Sequence, residues 1–153
     1  MKPILPFVIA GLLAAPLAAQ DSADTASIPA PDSIVIEGND VDLKQFKWEK
    51  RPLVVFADSP SDPQFIRQME LLTNELPALI ERDVVILTDT DPEAQSALRK
   101  QLRPRGFMLA LVVKDGTIYL RKPVPWDVRE ISRTIDKLPM REQEIEERRG
   151  LPD

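Results

Sequence analysis

Acidic side chains are the residues of this chain best placed to do chemistry. Two apolar segments with the character of buried strands are each followed by two aspartates, and these four are Asp58, Asp62, Asp89 and Asp91. The carboxyl ends of parallel strands meet at one edge of a sheet, where α/β folds bind ligands. Carboxylates that converge there could bind Ca²⁺ or Mg²⁺, which prefer oxygen ligands, or support a carboxylate- or metal-dependent envelope hydrolase.

The same aspartates have a simpler structural explanation. Asp62 and Asp91 each precede a proline, and Asp-Pro favours a helix start because Asp caps the helix and Pro suits its first position. Asp58 and Asp89 are then ordinary loop acids. No EF-hand-type spacing supports a metal site. The preferred interpretation therefore has no metal, no cofactor and no catalytic residue, and the hydrolase remains the alternative.

Other reactive groups are few. The chain has no cysteine and no histidine, which excludes thiolate nucleophiles, histidine bases and Cys/His zinc sites. Ser61 has no histidine or well-placed lysine to activate it. Tyr119 is interpreted as a cross-strand packing residue, and Trp126 as a packing residue or an anchor for a partner protein.

The elements that would position these residues follow a repeated pattern. The apolar segments 53–57 and 84–87 are predicted strands, each followed by a polar loop and an Asp-Pro helix start. Apolar residues at helical spacing then form the stripes Phe65, Met69, Leu72, Leu76, Leu79 and Ala94, Leu98, Leu102. Pro77 is expected to interrupt the first helix. The repeat predicts two parallel strands joined by a helical crossover.

The second half predicts a hairpin and a last helix. Residues 107–113 and 117–121 are strands separated by Asp115-Gly116, a two-residue turn signal. Val124, Val128, Ile131, Ile135 and Leu138 form the apolar stripe of a helix that Pro139 is expected to end. The order is βαβαββα, a four-stranded mixed sheet flanked by helices, and a short strand at 33–36 would extend it. After this short strand, residues 40–50 are expected to form a turn of helix anchored by Leu43, Phe46 and Trp48.

This order resembles the thioredoxin fold from its second strand onward. Thioredoxins carry a redox Cys-Gly-Pro-Cys motif at the start of the helix after that strand, where this chain has Ser61-Asp62-Pro63-Gln64. Met108 stands near the position of the family's cis-proline. Because the thiolate is the nucleophile in dithiol exchange, the chain alone is not a dithiol oxidoreductase.

An ordered set of short motifs is similar to the DUF4174 family, a domain of unknown function. The set spans about residues 45–145 and comprises Trp48, 51–57, Asp62-Pro63, 68–72, 81–83, Gly106-Phe107, 114–116, Ile135-Asp136 and 139–141. The resemblance implies a thioredoxin-like, exported domain, with similar domains in animal extracellular-matrix proteins. It implies no catalytic residues.

The amino terminus has the pattern of a secretory signal peptide. Lys2 precedes an apolar run at 4–13, and small residues at 14–19 favour cleavage near Ala19 or Gln20. The apolar run is too short to span a bilayer, which takes about 20 residues. Residues 21–40 are predicted to be a flexible lead, 41–139 the domain, and 140–153 a charged, frayed helical tail.

The sequence thus favours a periplasmic or secreted binding or interaction module without catalysis. Its net charge of −5 argues against nucleic-acid binding, and the arginines at 99–105 are interpreted as a solvated helix end. The predicted partner is another envelope protein or a peptide, and the oligomeric state is open. The predicted binding surface joins Asp58, Ser61 and Asp62 of one loop to Phe107 and Met108 beside it.

Overall fold

The computed structural model describes residues 34–150, which form a five-stranded sheet flanked by helices. The strands are β1 (Val35–Glu37), β2 (Arg51–Phe56), β3 (Val84–Asp89), β4 (Met108–Val112) and β5 (Ile118–Lys122). The helices are α1 (Pro63–Thr73), α2 (Leu76–Ile80), α3 (Ala97–Leu102), α4 (Val128–Asp136) and α5 (Pro139–Gly150), with a 3-10 turn at Leu43–Phe46. The predicted α/β class and the additional first strand are confirmed.

The strand order is β1-β3-β2-β4-β5. β1 and β2 both run parallel to β3, whereas β4 is antiparallel to β2 and β5 to β4. Phe56, at the end of β2, is aligned with Asp89 on one side and with Met108 on the other. The carboxyl ends of β2 and β3 therefore meet the beginning of β4 at one edge of the sheet.

Helices cover both faces of the sheet. Leu53 and Val55 pack with residues of α1, α2 and α4, while Val54 and Phe56 pack with α3 and the 3-10 turn. All four side chains are fully buried, as expected for a central strand with period-two side-chain alternation. In the 3-10 turn Leu43 is buried, but Trp48, predicted to be a further anchor, is 62% exposed.

The first predicted helix start is confirmed and the second is wrong. Asp62 caps α1, Pro63 opens it, and the chain breaks before Pro77 into α1 and α2. Asp91 instead accepts hydrogen bonds from the backbone N–H groups of residues 93 and 94, and α3 begins only after its cap, Ser96. The left-handed backbone of Gln95 (φ 45°) prevents a continuous helix from Asp91. Ala94 is accordingly exposed.

The hairpin between β4 and β5 is longer than predicted. The backbone N–H of Val113 donates to the carbonyl of Thr117 at 2.9 Å, which leaves three residues, 114–116, in the loop. Gly116 has φ 91° and Val112 is aligned with Ile118 across a register shift. A three-residue loop with a left-handed glycine and an adjacent bulge is a common hairpin connection.

The C-terminal segment differs from the prediction. Val124 is exposed and lies before α4, while Pro139 begins α5. Proline suits either position, since it ends one helix as readily as it opens the next. Arg141 of α5 is buried and ion-paired, so this segment is a docked helix instead of a frayed one.

The predicted signal peptide and most of the lead lie outside the described residues. Within 34–150, no helix is long and apolar enough to cross a membrane.

Candidate functional site

The segment at the thioredoxin motif position forms the start of α1. Asp62 Oδ1 accepts the backbone N–H of Gln64 at 2.8 Å, and the backbone N–H of Ser61 donates to Ser59 Oγ at 3.1 Å. Ser61 is exposed and Asp62 half-buried. One Asp62 oxygen is therefore used in capping, and the segment holds the loop and helix in place.

The predicted binding surface is brought together only in part. Asp58 lies beside the start of β4, since a Cβ at Gly106 would be 4.0 Å from Asp58 Oδ2. Phe107 and Met108 are buried, however, and pack on opposite faces of the sheet. These two side chains therefore offer little exposed area to the predicted surface, because successive residues of an extended segment point to opposite faces.

Beside this region lies a cleft of about 250 Å³, to which Phe107 and Met108 contribute. Its other contributors are cationic: Arg103, Arg105, Arg121 and Lys122, with Pro123 at one side. We call it the basic cleft. Sequence reasoning missed it, because Arg103 and Arg105 follow α3 whereas Arg121 and Lys122 end β5. Only the pairing of β4 with β5 brings the two groups together.

Local contacts orient two of the cationic side chains around the cleft, Arg121 and Lys122. Arg121 Nη1 donates to the carbonyl of Leu102, the last residue of α3, at 2.5 Å. Lys122 Nζ lies 4.6 Å from the ring centre of Trp126, a cation–π distance. Arg103 caps the end of α3 in the left-handed conformation, with φ 50°. Within 34–150, none of the four cations forms an ion pair with a carboxylate.

Asp89, predicted to be a loop acid or a weak candidate metal ligand, lies in a strand and forms an ion pair. It is the last residue of β3, 1% exposed, and its Oδ1 lies 2.8 Å from Arg99 Nε. Ser96 Oγ donates to its other oxygen. Arg99 also donates to the carbonyl of Ala57 at 2.6 Å. The Arg99–Asp89 pair thus joins the ends of β2 and β3 to α3, and Arg99 is not a solvated helix end.

The four aspartates do not form a common cluster. Asp58 and Asp91 are exposed, Asp62 caps α1 and Asp89 is committed to Arg99 and Ser96. In the described part of the chain, no group of three or more acidic side chains is placed to hold a metal ion. The metal-dependent alternative therefore lacks a ligand set among these residues.

A buried ion-pair network lies at the opposite end of the sheet. Glu144 of α5 accepts Arg51 Nη2 at 2.9 Å and lies 2.7 Å from Lys114 Nζ, which also contacts Asp83 at 2.9 Å. Burial alone would raise the pKa of Glu144, but these hydrogen bonds and positive charges outweigh it and lower the pKa to about 2. A cavity of about 410 Å³ adjoins the network, between the hairpin and α5.

The fold is shared with solved peroxiredoxin structures. The reduced 2-Cys peroxiredoxin of Plasmodium vivax superposes with a TM-score of 0.56 at 17% identity, over 67% of this chain and 85% of that one. Thioredoxin peroxidase I of Plasmodium yoelii gives 0.52 at 18% identity, over 67% and 80%. At such identities the likeness concerns the fold alone, and it agrees with the thioredoxin-like architecture. The comparison with curated proteins finds no significant match.

The family resemblance is confirmed by a match over most of the described residues. The family described as a domain of unknown function, DUF4174, matches residues 42–144. The match begins at the cap of the 3-10 turn and ends at Glu144, the residue that joins α5 to β2. It therefore covers the sheet from β2 onward, the basic cleft and the buried network. This chain belongs to the DUF4174 family.

Proposed function

We propose that the protein is an exported binding module that uses a thioredoxin-like scaffold without thiol chemistry. The observation that carries the proposal is the basic cleft, in a chain that has no cysteine at the thioredoxin motif position. Ser61 and Asp62 stand at that position and the chain contains no cysteine. The edge where β2 and β3 end is thus available for binding without serving dithiol exchange.

The proposed partner is an envelope protein or a peptide, and the binding surface is the loop at 58–62 together with the basic cleft. Binding is favoured over catalysis because Asp62 serves as a helix cap and Asp89 is held by Arg99. Both carboxylates thus take part in contacts that hold the fold together. Export is inferred from the amino-terminal sequence, with its lysine, apolar run and small residues.

Site-specific photo-crosslinking in intact cells tests the surface. A photoreactive residue placed at Ser61 or at Arg105 is expected to give the same discrete adduct, because both positions flank the proposed surface. The control position is Gln143, exposed on α5 beside the other cavity. An adduct formed only from Gln143, or none from any position, would contradict the proposal.

Export is tested separately by cell fractionation. The full chain is expected in the periplasm or the medium, whereas a chain lacking residues 2–19 is expected in the cytoplasm. Equal distribution of the two chains would exclude export through this segment.

A further inference from the structure

The charges of the basic cleft stand out from those of the rest of the domain. The chain is acidic, with a net charge of −5. Its buried Arg51 and half-buried Arg99 both have carboxylate partners, Glu144 and Asp89. Among the described residues, no carboxylate pairs with any of the four cations around the cleft. Like charges gathered without counter-charges repel each other, so this arrangement costs stability unless an anion binds.

The contacts within the fold position these cations without neutralising them. The hydrogen bond from Arg121 to the Leu102 carbonyl satisfies one guanidinium nitrogen, and Trp126 offers Lys122 the face of its ring. Arg103 and Arg105 have no comparable partner in the described structure. Orienting two cations in advance reduces the entropy that a ligand must overcome on binding. Two of the cations are therefore already oriented to bind an anion in the cleft.

The shape of the cleft limits what the anion can be. Phe107, Met108 and Pro123 contribute apolar surface to the same cleft as the cations. The volume of about 250 Å³ is below the roughly 300–1,000 Å³ of pockets that enclose a drug-sized ligand. A side chain or two of a larger molecule fits such a space. Arginine side chains recognise carboxylates through paired hydrogen bonds.

We infer that the basic cleft binds an acidic peptide segment of a partner protein, with carboxylates on Arg103, Arg105, Arg121 and Lys122 and an adjoining apolar side chain against Phe107 and Met108. The inference rests on the proposed binding function and specifies its ligand. A free inorganic anion would use the charges but leave the apolar surface uncovered.

The binding measurement uses Trp126, whose ring lies against Lys122, as the reporter. The chain has two tryptophans, and Trp48 is exposed, so a Trp48→Phe background leaves Trp126 as the only indole. The probe is the peptide acetyl-Asp-Leu-Glu-Asp-Phe-Glu-amide, titrated into the full chain. Its control is the same peptide with Asn and Gln in place of the acids. The acidic peptide is expected to change the fluorescence saturably, and less so as salt increases.

Charge-removing variants locate the binding. Arg105→Gln combined with Lys122→Gln is expected to weaken the acidic peptide about tenfold or more, since two charge-assisted contacts are lost. Lys44→Gln combined with Lys137→Gln removes the same charge at exposed positions outside the cleft and should bind as the parent does. Isothermal titration calorimetry repeats each comparison, so that the result does not depend on the environment of Trp126.

Each outcome has a definite meaning. Equal binding of the neutral peptide, an equal loss in both double variants, or inorganic phosphate binding as tightly as the peptide would overturn the inference. Self-association that disappears only in the Arg105→Gln, Lys122→Gln variant would assign the cleft to a second copy of the chain and would also overturn it. Crosslinking to a partner without peptide binding would leave the proposed function standing and refute the acidic ligand. Peptide binding without any crosslinked partner would refute the proposed function instead.

Discussion

Arg51 and Glu144 form an ion pair at 2.9 Å although 93 positions separate them in the sequence. Arg51 begins β2 and Glu144 lies in α5, so the pair fastens the last helix to the centre of the sheet. Lys114 from the hairpin joins the same Glu144 oxygen at 2.7 Å. One carboxylate therefore joins the C-terminal helix both to β2 and to the loop between β4 and β5.

Glu144→Gln is expected to lower the free energy of unfolding by about 2 kcal/mol. The substitution keeps the size of the side chain but removes the charge, which leaves the buried Arg51 without its carboxylate and Lys114 with Asp83 alone. Urea unfolding followed by circular dichroism measures the change. The control is Glu147→Gln, since Glu147 lies in the same helix, is exposed and forms no ion pair among the described residues. A similar stability for both variants would mean that the pair contributes little.

The same carboxylate predicts how stability depends on pH. Glu144 has a pKa of about 2 in the folded protein, against an ordinary value of 4.5 for a glutamate. Because the folded pKa is lowered, its contribution is complete above about pH 4.5 and is lost as the pH falls toward 2. After allowance for solvent screening, this contribution is on the order of 1–2 kcal/mol. Unfolding free energies measured between pH 7 and pH 3 should fall more steeply for the parent than for Glu144→Gln. Parallel curves for the two proteins would refute this assignment.

The sheet could be predicted from the sequence because its signals are local. β2 and β3 are short apolar runs buried on both faces, and Asp62-Pro63 combines a cap with a proline at the first helical position. The ends of the elements were less predictable, since Asp91-Pro92 offers the same local signal as Asp62-Pro63. The left-handed Gln95 and the bond from Ser96 to Asp89 decide otherwise, and both depend on tertiary contacts.

The candidate site was harder to predict for a related reason. Met108 lies in the predicted strand and Phe107 directly before it, but their burial follows from helices packing on both faces. The cations of the basic cleft come from two segments that only the β4–β5 register aligns. Arg99 shows why ion pairs are hard to predict from sequence. An arginine in a charged turn gives no sign that a buried aspartate ten residues earlier is its partner.

Asp89→Asn is expected to destabilise the fold by about 2–4 kcal/mol, because it leaves Arg99 without the carboxylate that it pairs with. Asp91→Asn is the control, since Asp91 is exposed and an amide oxygen can accept the same backbone hydrogen bonds. Thermal unfolding should show the difference, and added Ca²⁺ or Mg²⁺ at millimolar concentration should not shift the midpoint of the parent. A stabilisation by either ion that Asp89→Asn removes would instead support the metal-dependent alternative.

Gln68 connects α1 to the segment that carries Trp126, and its replacement should affect both stability and the basic cleft. Its side chain is fully buried, donates to the Trp126 carbonyl at 3.0 Å and accepts the Trp126 backbone N–H at 2.7 Å. Gln68→Met fills a similar volume but leaves both backbone groups without a partner, at a cost of about 1–3 kcal/mol. Gln101→Met makes the same change at an exposed position of α3 and should be nearly neutral. Because Trp126 contacts Lys122, only Gln68→Met should also shift the fluorescence of a Trp48→Phe background. Loss of stability without a change in that fluorescence would show that Gln68 supports the core but does not position the cleft.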